Sequence, residues 1–298
     1  MPLNHPAAQL LASIPSPSVS GIELGPITLH FYALCILAGI VLAVLLTNRR
    51  LVQRGVPQWQ VLDIAILAVP MAIVGARIYH VISHHEDYFG PGRNPWNPFQ
   101  PGSVWAIWEG GIAIFGALLG GTLGVWIMCR RMGLRFTALV DAIAPGLILA
   151  QACGRFGNWF NQELFGRPTT LPWGLEIDPG NPAIPPGTPP GTLFHPTFLY
   201  EVVWNTLGCL VLLWLTRKAY FQWGRVFACY LIWYGAGRVV WESIRLDPSL
   251  VFLGLRTNVW AALGAVALGV VILLVQARHR EPEPSPFAPG REPQPAQA

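Results

Sequence analysis

Apolar stretches of membrane-spanning length recur along this chain, separated by short polar segments that hold most of its charge. A helix needs about 20 mostly apolar residues to cross the hydrocarbon core of a bilayer. On that measure the sequence predicts seven transmembrane helices, at residues 28–47, 61–81, 110–128, 137–153, 197–216, 225–243 and 258–276. The second is the weakest because it opens with Asp63 and closes on polar residues, and Pro145 predicts a kink in the fourth. We therefore expect an all-α integral membrane protein.

The basic residues of the connections predict its orientation. They follow the first, third, fifth and seventh stretches, as Arg49, Arg50 and Arg54; Arg130, Arg131 and Arg135; Arg217, Lys218 and Arg225; and Arg278 and Arg280. Lys and Arg accumulate in short cytoplasmic connections of membrane proteins. Seven helices then place the N-terminus outside the cell and the C-terminus in the cytoplasm.

Composition narrows the class further. Of the 298 residues, 53% are hydrophobic and only 11% are charged, whereas soluble domains are usually about one quarter charged. The net charge of +4 follows from the cytoplasmic bias of the basic residues and does not indicate nucleic-acid binding. The five cysteines lie in or beside the apolar stretches without metal-ligand spacing, which favours buried thiols over a redox role. We expect no metal and no cofactor.

The domain organisation is simple. One transmembrane domain, residues 27–277, is expected between an extracytoplasmic N-terminal segment at 1–26 and a disordered cytoplasmic tail at 278–298. The N-terminal segment lacks a basic region before its apolar run, so no signal peptide is predicted. The segment 168–194 is rich in Pro and Gly and predicts a small extracytoplasmic head, long enough for a lid or a platform for a partner.

Residues 154–168, GRFGNWFNQELFGRP, are the densest polar cluster of the chain and directly follow an apolar stretch. Polar groups at the edge of a bilayer cost several kcal/mol each unless a partner or ligand satisfies them. Arg155 carries a planar donor fork that suits a phosphate, and Asn158 and Asn161 add amide groups beside it. This predicts a binding site rather than an ordinary loop.

Ionisable residues of other stretches fall at the same predicted depth, toward the outer face. Tyr234, Arg238 and Glu242 are four residues apart and share one helix face, although an Arg238–Glu242 pair that only locks helices together is the alternative. Arg77 either joins the site or reaches lipid phosphates from the membrane edge. Glu109, before two glycines, either faces a ligand or faces outer water. The convergence predicts a lipid-headgroup site open to the outer leaflet.

Several blocks together resemble the prolipoprotein diacylglyceryl transferase family. Besides residues 154–168, they are LHFY at 29–32, GARIYH at 75–80, EGG at 109–111, HPTFLYE at 195–201 and YGAGRVVWESIRLD at 234–247. The resemblance implies a seven-span enzyme of the bacterial cytoplasmic membrane that carries out the first step of lipoprotein maturation. It moves diacylglycerol from phosphatidylglycerol to the lipobox cysteine of a prolipoprotein, forming a thioether and releasing glycerol phosphate. The implied partners are phosphatidylglycerol, prolipoprotein signal peptides with a lipobox cysteine, and membrane lipids.

The resemblance and the polar pattern together give a set of predicted site residues. The predicted catalytic residues are Arg155, Arg238, Glu109, Tyr32 and Tyr234. The predicted phosphatidylglycerol-binding residues are Arg155, Asn158, Asn161, Glu163, Gly166, Arg77, Arg238 and Glu242. The family's best-known members have His where this chain has Glu109, so the thiol base is Glu109, another group, or no single side chain. The WEGG form is similar to that of actinobacterial members.

Two other functions stay open on the sequence alone. A lipid transporter or flippase would use polar groups in both halves of the membrane, for which Asp63 and Asp141 near the inner side are the support. A catalytically silent lipid-binding protein of the same fold is the third possibility.

Overall fold

The computed structural model describes residues 13–25, 27–90, 94–107, 110–111, 113–218, 220–279, 281–283 and 285–291. Long helices form at all seven predicted places: α1 (Phe31–Gln53), α2 (Gln60–Ser83), α4 (Ile114–Met132), α5 (Phe136–Phe160), α6 (Thr197–Leu215), α7 (Arg225–Ile244) and α8 (Thr257–Gln276). A short helix, α3 (His85–Tyr88), follows α2. A helix therefore forms in each of the seven predicted stretches.

Five of these helices, α1, α2, α5, α6 and α8, are long and apolar enough to cross a membrane. In α7, buried Arg225 and Glu242 lower the apolar character, and α4 ends in Arg130 and Arg131. Seven crossings and the orientation of the termini remain predictions. The third helix also begins at Ile114 rather than at position 110, because Gly110 and Gly111 have φ values of 96° and 74°, outside the helical region.

Short antiparallel strand pairs occur in the connections, which the all-α prediction did not include. They are β1 (Gly21–Leu24) with β2 (Ile27–His30), β3 (Pro168–Thr169) with β4 (Leu193–Phe194), and β5 (Val251–Phe252) with β6 (Leu255–Arg256). Around β3 and β4, a small apolar core contains Phe165, Leu175, Ile177, Phe194 and Phe198. The Pro/Gly-rich segment is therefore a packed head with its own core.

The chain divides into two compact units, Met1–Thr47 with Val140–Glu283 (unit 1) and Asn48–Leu139 with Pro284–Ala298 (unit 2). In unit 1, glycines bring helices together. A β-carbon on Gly39 of α1 would lie 2.9 Å from the carbonyl oxygen of Ala150 in α5, and one on Gly235 of α7 would lie 2.7 Å from that of Ala262 in α8. Between α6 and α7, Trp204 and Trp233 stack with centroids 4.5 Å apart, and each indole donates to the other's carbonyl at 3.0 Å.

Unit 2 is built on a still closer approach of α2 and α4. A β-carbon on Gly116 would lie 2.1 Å from the carbonyl oxygen of Gly75, and one on Gly120 would lie 2.1 Å from that of Met71. Small residues let membrane helices associate through direct backbone contact. These glycines of α2 and α4 are therefore packing residues.

Gly120→Ala is accordingly expected to separate α2 from α4 and to destabilise the protein by about 1–3 kcal/mol, the usual cost of overpacking. The measurement is thermal unfolding of the purified protein in detergent. Gly264→Ala in α8 is the matched control, because a β-carbon there meets nothing within 4 Å. Equal unfolding temperatures for the two variants would contradict the packing role.

Part of the tail that was predicted to be disordered is ordered. The amide of Ala288 donates to the carbonyl of Gly133 at 2.7 Å, and the amide of Arg135 donates to Pro286 at 2.7 Å. Phe287 is only 5% exposed. One aromatic side chain in a Pro-rich segment thus supplies an anchor that composition alone did not indicate, while residues 292–298 lie outside the described residues.

Candidate functional site

The polar segment that follows α5 folds back on the end of that helix. Arg155 and Asn158 lie one turn apart in α5, and Arg155 Nη1 donates to Asn158 Oδ1 at 3.2 Å. Gln162 and Leu164 have φ values of 50° and 59°, a left-handed conformation that costs a non-glycine residue roughly 1–2 kcal/mol. The turn returns Glu163 to Asn158: the amide of Glu163 donates to the Asn158 carbonyl at 3.0 Å, and Asn158 Nδ2 donates to Glu163 Oε1 at 2.7 Å.

Gln162 holds this turn in place. Its Nε2 donates to the carbonyl of Pro17 at 3.0 Å, and its Oε1 accepts from the amide of Asp178 at 2.8 Å. Its own carbonyl accepts from Asn181 Nδ2 at 2.8 Å. Gln162 thus ties the N-terminal segment and the head to this turn. The side chain of Asn161 lies 3.5 Å from Glu163 Oε1, and its amide donates to the carbonyl of Gly157 at 3.0 Å.

Arg155 and Arg238 share one carboxylate. Arg155 Nη2 lies 2.8 Å from Glu201 Oε2, and Arg238 Nη1 lies 3.8 Å from the same oxygen. Both arginine side chains are 16% exposed and that of Glu201 is 5% exposed. The structure therefore brings α5, α6 and α7 together at two arginine side chains that are each 16% exposed, although the Nη1 atom of Arg238 is itself buried. Sequence reasoning did not assign Glu201 a role, although a carboxylate one turn into an apolar helix was a usable signal.

Glu242 is the fully buried centre of a second set of contacts. Its Oε2 lies 3.0 Å from Arg238 Nη2 and 3.4 Å from Arg245 Nη1. Its Oε1 lies 3.1 Å from Arg256 Nε and accepts from Asn258 Nδ2 at 2.9 Å. The Arg238–Glu242 pair that the four-residue spacing predicted is present within α7. The contacts of Glu242 with Arg256 and Asn258 join α7 to the start of α8.

These contacts form one continuous arginine–carboxylate network in unit 1. Asp247 completes it, with Oδ1 at 2.6 Å from Arg245 Nε and Oδ2 at 3.0 Å from Arg256 Nη2. Its members are Arg155, Glu201, Arg238, Glu242, Arg245, Asp247 and Arg256. Four arginines against three carboxylates leave one net positive charge, the charge that a phosphodiester would balance.

Three further predicted residues pack beside the network. The ring of Tyr32 lies against Gly157, where a β-carbon would come within 2.5 Å of Tyr32 Cδ2. Tyr234 stacks on Tyr230 with centroids 6.0 Å apart. Gly166 leaves no room for a side chain, because its β-carbon would lie 2.7 Å from that of His195. The contacts of Gly166 are those of a packing residue, and its predicted role in lipid binding is a separate hypothesis.

Arg77 belongs to unit 2, where it is 8% exposed. Its guanidinium donates to the carbonyls of Ser103 at 2.7 Å, Val104 at 2.8 Å and Gly110 at 2.7 Å. These bonds fix the connection that leads to Gly110 and Gly111. Such a contact set is that of a residue that positions a loop, while direct lipid binding by Arg77 remains a prediction. Glu109 lies outside the described residues.

An aromatic groove runs along α6 and α7 on the side of Tyr200 and Trp241, whose rings lie 5.6 Å apart. It has a volume of about 390 Å³, and its lining is Trp173, Leu199, Tyr200, Val203, Trp204, Leu207 and Trp241. One end is polar, because the Tyr200 hydroxyl accepts from Trp173 Nε1 at 3.1 Å and lies 3.1 Å from His195 Nδ1. Tyr200 in its lining directly precedes Glu201 of the network in sequence.

Apolar helices of membrane-spanning length, together with a network that has one net positive charge, define a multi-pass membrane protein with a site suited to an anionic group. A family model described as prolipoprotein diacylglyceryl transferase matches residues 20–275. The chain belongs to the prolipoprotein diacylglyceryl transferase family. It is therefore a membrane transferase.

Individual relatives agree with this membership. A protein of Leifsonia xyli subsp. xyli named phosphatidylglycerol–prolipoprotein diacylglyceryl transferase is 59% identical over 288 residues, covering 95% of this chain and 86% of the relative. A protein of the same name from Cutibacterium acnes is 49% identical over 92% of this chain and 89% of its own length. One from Bifidobacterium adolescentis is 47% identical over 89% of this chain and 80% of its own length. The predicted family, including its actinobacterial form, is confirmed.

Proposed function

We propose that this transferase moves the diacylglyceryl group of phosphatidylglycerol to the lipobox cysteine of a prolipoprotein. The cysteine sulfur attacks the glycerol carbon that carries the phosphate ester. A carbon–sulfur bond forms, the carbon–oxygen bond breaks, and glycerol phosphate leaves with the electron pair. The thiol proton is lost to a base or to the leaving phosphate, so atoms and charge balance.

The observation that carries the proposal is the sharing of Glu201 by Arg155 and Arg238. Both guanidinium groups face one carboxylate oxygen, and each arginine side chain is 16% exposed. A phosphodiester carries the same charge as that carboxylate and accepts the same planar donors. Glu201 therefore holds the two forks in place when lipid is absent, and the phosphate binds across them.

The network also suits the charge that develops during the reaction. As the carbon–oxygen bond breaks, negative charge grows on the leaving phosphate. Donors that are already fixed toward that position stabilise the transition state without reorganising. The remaining contacts of the network, from Glu242 to Arg245 and Arg256, hold Arg238 in position.

The aromatic groove of α6 and α7 is the place we assign to an acyl chain of the donor lipid. Its walls are apolar and aromatic, as an acyl chain requires. Val203 and Leu207 on its wall are 51% and 49% exposed, so the groove is open to the bilayer along its length.

Leu207→Trp is expected to fill part of this groove and to change the preferred acyl length. A long chain that no longer fits loses van der Waals packing in the groove but stays in lipid hydrocarbon, so kcat/KM for dipalmitoyl donor should fall only about two- to tenfold relative to dilauroyl donor. Leu210→Trp is the matched control, since Leu210 is 58% exposed on the same helix and does not line the groove. If Leu207→Trp kept the acyl-length preference of wild type, the assignment of an acyl chain to this groove would be wrong.

The location proposed for the reaction is the outer leaflet of the bacterial cytoplasmic membrane, in a chain of seven crossings with its N-terminus outside. The basic clusters of the sequence support this orientation. The acceptor cysteine follows a signal helix and reaches the same surface, so the peptide enters laterally between helices. Crosslinks from the peptide only to the connections at 49–54 or 130–135 would contradict this arrangement.

Asp63 and Asp141 were the two residues that supported a transporter, and the contacts of Asp141 indicate a structural role instead. Asp141 is 2% exposed, and its carboxylate accepts from the amides of Gly224 at 2.8 Å and Phe227 at 3.0 Å. These are the amides at the start of α7, so Asp141 caps a helix. A buried carboxylate near the predicted inner side is thereby explained without a pathway.

The proposed function is tested by purified protein in vesicles with phosphatidylglycerol and a synthetic peptide bearing a lipobox cysteine, with mass spectrometry of the peptide as readout. Wild type is expected to add one diacylglyceryl group per peptide. Glu109→Gln, assayed beside it, is expected to be inactive if Glu109 takes the thiol proton. An active Glu109→Gln would release Glu109 from that role, and a folded wild type without product would refute the function.

A further inference from the structure

A cavity of about 360 Å³ lies in unit 2, where the C-terminal end of α4 and the turn before α5 meet the tail. Arg130, Arg135 and Arg291 line it, and none of the lining residues that the structure describes is acidic. Trp126 completes one side, with the Arg130 guanidinium carbon 5.4 Å from its ring centroid. The cavity is separate in sequence from the network of unit 1, and no step of the transfer reaction uses it.

The tail forms one wall of this cavity. Gly133 has a φ of 70°, and its carbonyl accepts from the amide of Ala288 at 2.7 Å. Arg135 Nε donates to the carbonyl of Phe287 at 2.9 Å. A β-carbon on Gly133 would lie 2.6 Å from that of Arg291, so glycine at this position lets the last arginine close against the turn.

The charge of the cavity calls for an anion. The accumulation of basic residues on the cytoplasmic side of membrane proteins accounts for Arg130 and Arg135 individually. It does not account for a tail segment that folds back and adds Arg291 to the same cavity wall, because like charges brought together repel. A bound anion removes that repulsion.

We infer that this cavity binds a phosphate group, and that an anionic phospholipid of the adjacent leaflet presents it. The guanidinium groups of Arg130 and Arg291 supply planar donors for phosphate oxygens, while Arg135 Nε donates to Phe287. Trp126 is 46% exposed, and a tryptophan beside basic residues is typical of the headgroup level of a bilayer. Basic cavities on the cytoplasmic side of membrane proteins bind phospholipid headgroups in this way. Soluble phosphate has the same chemistry and is the other source.

The test is native mass spectrometry of the full-length protein in detergent with phosphatidic acid, which is not the proposed donor, against phosphatidylcholine with the same acyl chains. Arg130→Gln/Arg291→Gln removes two charges from the cavity. Arg217→Gln/Lys218→Gln removes two from another connection, where Lys218 lies over Trp214 at 5.5 Å, and is the matched control. Since each basic residue near an anionic lipid contributes about fivefold in affinity, the cavity variant should bind phosphatidic acid roughly 30-fold more weakly.

The outcomes separate the possibilities. Selective binding of phosphatidic acid by wild type and by the control, but not by the cavity variant, supports the inference. Equally weakened phosphatidic acid binding in both variants would show unspecific charge attraction and would overturn the inference. A wild type that does not prefer phosphatidic acid over phosphatidylcholine would overturn it as well. A second titration with inorganic phosphate assigns the source: cavity-dependent binding of phosphate alone would make the ligand soluble. Transfer activity is not read in this experiment, so its result is independent of the proposed function.

Discussion

Arg155→Ala and Arg238→Ala are each expected to lower kcat/KM for diacylglyceryl transfer at least about 100-fold, while the protein still inserts and folds. Removing one preorganised donor from a developing negative charge typically costs about 3 kcal/mol in the transition state. The two arginines lie on different helices and face the same carboxylate, so either loss leaves the phosphate held from one side only. The measurement is initial rates over a range of phosphatidylglycerol concentrations in mixed micelles.

Two further variants make this prediction specific. Arg155→Lys keeps the charge but loses the planar fork, so it should recover only part of the rate. Arg167→Ala removes an exposed arginine from the same polar segment and should keep close to wild-type activity. If Arg167→Ala lost as much activity as Arg155→Ala, general charge in the segment rather than the shared carboxylate geometry would explain the effect.

Glu242→Gln is expected to produce the largest loss of stability, about 3–5 kcal/mol, because it removes the charge that compensates buried cations. Glu242 is fully buried and contacts three arginines through its two oxygens. Glutamine keeps the shape and can still bond Asn258, but it leaves Arg245 and Arg256 with Asp247 as their only carboxylate partner within the described network.

Thermal unfolding in detergent, followed by tryptophan fluorescence, measures this loss. Glu86→Gln, an exposed carboxylate in α3, is the control and should change the unfolding temperature little. A Glu242→Gln protein as stable as wild type would show that the network is not what joins α7 to α8. A stable but inactive variant would instead assign Glu242 mainly to the positioning of Arg238.

The helices and part of the site were predictable because each depends on local pattern. Apolar length alone located the seven helices, and the spacing of four between Arg238 and Glu242 placed them on one face, where they form the 3.0 Å pair. The density of polar groups at 154–168 indicated a site there, and the turn after α5 does bring Glu163 back to Asn158, which also accepts from Arg155.

Contacts between distant segments were not predictable from the same pattern. Glu201 meets Arg155 across two helices, and nothing in the spacing of the sequence identifies that pairing. The contacts of Gln162 were not predictable for the same reason, since its partners Pro17 and Asp178 come from separate loops. For Arg77, position at a helix end indicated lipid contact, whereas its guanidinium is directed at main-chain carbonyls of a long connection.

The most direct test of the central claim is the stoichiometry of the reaction. Purified protein, phosphatidylglycerol with a labelled glycerol headgroup, and a lipobox peptide are incubated together, and thioether and released glycerol phosphate are both quantified. The account predicts one glycerol phosphate per thioether, and no release when the peptide cysteine is replaced by serine. Release of glycerol phosphate without thioether, or movement of intact labelled lipid between leaflets with no product, would contradict it.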